Sequence, residues 1–122
     1  MRRARYNGAE GQEGSIMATM AEIEALAQEI ADKFQPDRIV LFGSHAYGRP
    51  AADSDVDLLV LMPFEGKSVS KASEILRKTQ PRFGVDLLVR RPEDVERRLA
   101  LGDFFLREVI EKGRILYESA HV

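Results

Sequence analysis

The 122-residue chain has no cysteine, which excludes disulfide frameworks, thiolate metal sites and cysteine nucleophiles. No apolar run approaches the roughly 18 residues that cross a bilayer, so membrane insertion is not expected. The opening Met1-Arg2-Arg3-Ala4-Arg5 is basic but lacks the apolar block of a secretory signal, and a cytoplasmic location is the expectation. Nor does charge of one sign dominate: 18 Lys and Arg stand against 20 Asp and Glu, a formal net charge of −2. A general nucleic-acid binder carries a basic domain or stripe, so direct nucleic-acid binding is not expected. A local phosphate site, which needs only a few well-placed groups, stays open. Internal repeats and dividing linkers are also missing.

What is present is an ordinary globular balance, 44% hydrophobic and 31% charged, at the length of one domain. Residues 1–16 are rich in Gly, Arg, Glu and Gln and lack apolar periodicity. They read as a disordered extension, with Met17 or Met20 as an alternative start, and residues 17–122 read as a single domain. Ile23, Leu26, Ala27, Ile30 and Phe34 recur at helical spacing up to Pro36, which ends that helix. Arg38 to Phe42 and Asp55 to Met62 are short apolar runs of strand character. Ser68 to Gln80 is helical until Pro81, and Phe83 to Val89 is a third strand. Pro92 opens a helical region with an interruption near Gly102, and Ile115-Leu116-Tyr117 can form a terminal strand. The expected class is α/β or α+β, a small mixed sheet with helices packed over one face.

The chemistry is concentrated in Gly43-Ser44, ten intervening residues, and Asp55-Val56-Asp57. Residues two apart on a strand share a face, so Asp55 and Asp57 project together. Two carboxylates that close repel when both are ionised, and a cation relieves the conflict. Their hard oxygens suit Mg²⁺. A strand that ends in Gly-Ser and enters a helical turn presents backbone N–H groups and a hydroxyl, which favour an anion such as phosphate. Asp86, inside Val85-Asp86-Leu87-Leu88-Val89, is a charge that a buried strand tolerates poorly unless paired. If its strand lies beside that of Asp55, it can complete a three-carboxylate cluster for two-metal catalysis.

Gly43-Ser44-x10-Asp55-x-Asp57 resembles the signature of the DNA polymerase β-like nucleotidyltransferases, and in particular their minimal nucleotidyltransferase (MNT) branch. The likeness spans about residues 20–118. It implies a polymerase β-like fold and a Mg²⁺-dependent transfer of AMP from ATP, with two ions held by Asp55 and Asp57. Asp86 would help bind metal and activate the nucleophile, and Gly43 and Ser44 would hold the triphosphate. It also implies a partner, since many MNT proteins act as antitoxins of HEPN-domain toxins and some adenylylate a toxin tyrosine, as in a type VII-like pair. Non-catalytic neutralisation of a partner and modification of a small molecule such as an aminoglycoside are the alternatives. A homo-oligomer could build a pocket that a lone catalytic core lacks.

The remaining spacer residues carry weaker expectations. Arg49, between Gly48 and Pro50, is within loop reach of phosphate oxygens. His45 reads as incidental, Tyr47 as packed beneath the loop, and Arg77-Lys78 and Arg97-Arg98 as solvated helix faces.

Overall fold

The computed structural model describes residues 4–6, 18–51 and 53–120. The first long element, α1 (Met20–Phe34), starts where the side chain of Thr19 accepts the Glu22 N–H at 3.1 Å while the Glu22 carboxylate accepts the Thr19 N–H at 3.0 Å. This reciprocal capping satisfies two donors that a helix start leaves unpaired. The helix stops at Gln35, whose left-handed backbone (φ 50°) returns its N–H to the Ala31 carbonyl just before Pro36. The chain then runs through β2 (Arg38–Phe42), β3 (Val56–Leu61), α2 (Ser68–Thr79), β4 (Val85–Arg90), α3 (Pro92–Ala100), α4 (Phe104–Lys112) and β5 (Arg114–Glu118). Each element anticipated from residue 20 onward is present, and the final helical region is divided near Gly102 as its glycine suggests.

One addition was not anticipated. Ala4–Tyr6 forms a short strand, β1, paired antiparallel to β4. This corrects the reading of residues 1–16 as wholly disordered. The β4 edge offers unpaired backbone groups, and three residues that bond to it need no apolar periodicity of their own. The rest of that stretch lies outside the described residues. The five strands lie in the order β1-β4-β3-β2-β5. β3 and β4 are parallel, joined through α2, and the other pairings are antiparallel.

The mixed α/β class holds, but the helices do not share one face. Ile39, Leu41, Leu58, Val60, Leu87 and Val89 pack in one core with α1 and α2. The alternating residues Val40, Phe42, Leu59, Leu61 and Leu88 pack in a second core with Val95 of α3 and Leu106 and Val109 of α4. Strands buried on both faces read as continuous apolar runs, the pattern of β2, β3 and β4. That pattern, followed to its consequence, requires a helical layer on each side. Among the described residues no helix is long and apolar enough to cross a membrane.

Candidate active site

The acids occupy the N-terminal ends of the parallel strand pair. Asp57 on β3 is the register partner of Asp86 on β4, and it faces Phe42 on β2. Strand residues that lie side by side point to the same face. Because Val56, Leu58, Val85 and Leu87 belong to the α1/α2 core, Asp57 and Asp86 project to the opposite face, the one covered further along by α3 and α4. Asp55 immediately precedes β3, where the Val56 N–H donates to the Gly84 carbonyl at 2.9 Å. The Asp55 and Asp86 side chains are only 16% and 21% exposed, so both carboxylates are poorly hydrated.

Two glycines make room for these acids. A Cβ on Gly43 would overlap the Asp57 carboxylate, and a Cβ on Gly84 would overlap that of Asp55. Gly43 also sits at φ +73°, a conformation that ordinary residues adopt only at a cost. From it the chain turns tightly: Ala46 N–H donates to the Gly43 carbonyl at 3.0 Å and Arg49 N–H to the Ser44 carbonyl at 3.0 Å. This is the single helical turn expected after the strand, and it sets Ser44 beside the Gly43–Asp57 contact. Arg49 is exposed.

Of the neighbouring spacer residues, Tyr47 departs from expectation. His45 is buried, and among the described residues neither ring nitrogen meets a well-formed hydrogen-bond partner. Burial lowers its pKa below the ordinary histidine value, opposed in part by the adjacent Asp55, whose backbone and charge favour the imidazolium. Tyr47 is 46% exposed rather than packed beneath the loop.

A cation already contacts the acids. The Arg5 Nε lies 2.6 Å from Asp55 Oδ2 and 4.0 Å from Asp86 Oδ1. Sequence reasoning missed this residue because a three-residue strand carries no periodic signal. It also passed over Gly84, although a glycine within a strand pattern marks close backbone approach. Among the described residues no three His, Asp or Glu side chains form a ready-made ion cage, so the expected cluster is not closed. The donor chemistry nevertheless fits a hard divalent ion. The acids supply only oxygen, two of them are register partners, and the Gly43 and Gly84 clearances shape space around Asp57 and Asp55.

The family profile of the nucleotidyltransferase domain matches residues 23–117, and the chain belongs to that family. The fold agrees with solved structures. One, assigned as a nucleotidyltransferase from Sulfolobus solfataricus, superposes with a TM-score of 0.56 at 19% identity, covering 80% of this chain and 78% of that one. Another, a toxin-antitoxin structure with AMP-PNP, gives a TM-score of 0.51 at 20% identity, covering 80% of this chain and 75% of that one. A search of curated proteins finds no match.

Proposed function

We propose that this nucleotidyltransferase-domain protein transfers AMP from ATP to a hydroxyl acceptor, most simply a tyrosine of a HEPN-domain toxin for which it serves as the antitoxin. The observation that carries the reading is the side-by-side register of Asp57 and Asp86, with Gly43 packed against the Asp57 carboxylate. The toxin-antitoxin structure with AMP-PNP, similar in fold, supports both the nucleotide and the kind of partner.

In this reading Asp55, Asp57 and Asp86 would hold Mg²⁺, with two ions expected when nucleotide is bound. Bound metal would supply charge neutralisation of the triphosphate and acidify an attacking hydroxyl. Asp86, poorly hydrated beside Asp57, orients the acceptor hydroxyl and receives its proton. Ser44 and the turn amides after Gly43 hold phosphate oxygens, and Arg49 reaches them from the loop. The hydroxyl oxygen forms its bond to the α-phosphorus as the bond to pyrophosphate breaks. Positioning and fixed electrostatics then contribute most of the acceleration.

The test is incubation of the purified chain with the product of the neighbouring gene, ATP and Mg²⁺, read by intact mass. A gain of one or more adenylyl units on the partner supports the proposal. An unchanged partner mass, with the Asp57→Asn variant still neutralising the partner in cells, would leave neutralisation by binding as the function.

A further inference from the structure

We propose that Arg5 is a built-in competitor for the metal site, a tethered cation whose guanidinium holds the carboxylates of Asp55 and Asp86 until a divalent ion displaces it. The inference rests on the metal-dependent reading above and concerns a residue outside the family match, which begins at residue 23.

The backbone places Arg5 deliberately. β1 pairs with β4 so that Arg5 is the register partner of Asp86, as Asp57 is on the other side. Arg5, Asp86 and Asp57 therefore stand in one row across three strands, on one face of the sheet. From that row the Arg5 Nε reaches the Asp55 Oδ2 at 2.6 Å. An oxygen engaged this closely by a guanidinium is a poorer metal ligand, and the two cations repel.

The contact is built to yield. The Arg5 side chain is 63% exposed, while the Asp55 and Asp86 side chains are mostly buried. The acids need a counter-charge, but the arginine is well hydrated in its absence, and pairs with one exposed partner are weak. A divalent ion brings twice the charge directly onto the oxygens. Arg5 would thus lower apparent metal affinity by the fraction of molecules in which it holds the site. The backbone pairing of β1 does not have to break, because only the side chain must leave.

Mn²⁺ alone, titrated into the full-length chain and followed by the electron paramagnetic resonance signal of the free ion, tests this without reference to activity. Arg5→Gln should bind Mn²⁺ about two- to fivefold more tightly than wild type. Arg5→Lys, which keeps the charge, should fall nearer wild type. Arg77→Gln, on an exposed helix face, should leave the affinity unchanged. Equal or weaker binding by Arg5→Gln would overturn the competition, as would equal tightening by Arg77→Gln. Failure of both wild type and Arg5→Gln to bind Mn²⁺ would instead remove the metal site itself. Far-UV circular dichroism of each variant confirms that an exposed edge substitution has not altered the fold.

Discussion

Asp57 and Asp86 are register partners on the parallel strands β3 and β4, so two carboxylates stand shoulder to shoulder on one face of the sheet. Such a pair opposes folding unless a cation joins it. Asp57→Asn removes one charge without changing shape. Nucleotidyl transfer should fall by roughly a hundredfold or more, as for loss of a group that stabilises transition-state charge. Labelled-nucleotide transfer checks the loss.

The glycines that flank the acids should respond differently to alanine. At Gly84 the added methyl meets the end of the flexible Asp55 side chain, with no positive-φ penalty. Gly84→Ala should therefore keep its melting temperature within a few degrees yet lose Mn²⁺ binding, because Asp55 is pushed aside. Gly43→Ala adds the strain of φ +73° to a clash with Asp57. It should cost about 1–2 kcal/mol in denaturant unfolding as well as the site. If the two variants lose equal stability, the distinction drawn between the two glycines is wrong.

At the other end of the fold, Thr19 and Glu22 cap α1 reciprocally. Thr19→Ala should cost about 1 kcal/mol. The bonds to Thr19 hold the Glu22 carboxyl below its ordinary pKa. A depressed acid binds fewer protons folded than unfolded, so it contributes stability above the unfolded pKa. That contribution is lost as pH falls through the lower, folded value. Stability curves of wild type and Thr19→Ala should accordingly converge toward acid pH, and divergence there would contradict the capping role.

Much of this was legible from residue order alone. Pro36, Pro81 and Pro92 mark element ends because proline cannot donate to a helix or ladder, and α1, α2 and α3 begin or end beside them. The spacing from Gly43-Ser44 to Asp55 and Asp57 pointed to the turn after β2 and to the strand β3, which carries Asp57 and directly follows Asp55. What sequence did not reveal is tertiary. Whether Asp86 lies beside Asp57 depends on β4 pairing with β3 rather than with β2, and no local pattern encodes that choice. Arg5 belongs to a strand held by its neighbour's edge. The unbroken apolar runs of β2 and β3 are the local sign of the two-sided helical cover, since a strand buried on both faces has no polar alternation.

That two-sided cover makes a sharp prediction on α4. Leu106 is fully buried against the sheet in the second core, while Phe104, two residues earlier, is 84% exposed. Phe104 is the larger side chain, so hydrophobicity alone would rank its loss as the more damaging. Burial reverses the order. Leu106→Ala deletes atoms from a packed interface and leaves a cavity, at a cost of about 2–5 kcal/mol. Phe104→Ala should stay within about 0.5 kcal/mol of wild type, as surface changes do. Urea unfolding of the two variants measures the difference directly. Comparable losses would mean that α4 does not seal the Val40–Leu59–Leu88 face, and the face bearing Asp57 and Asp86 would lose the wall assigned to it.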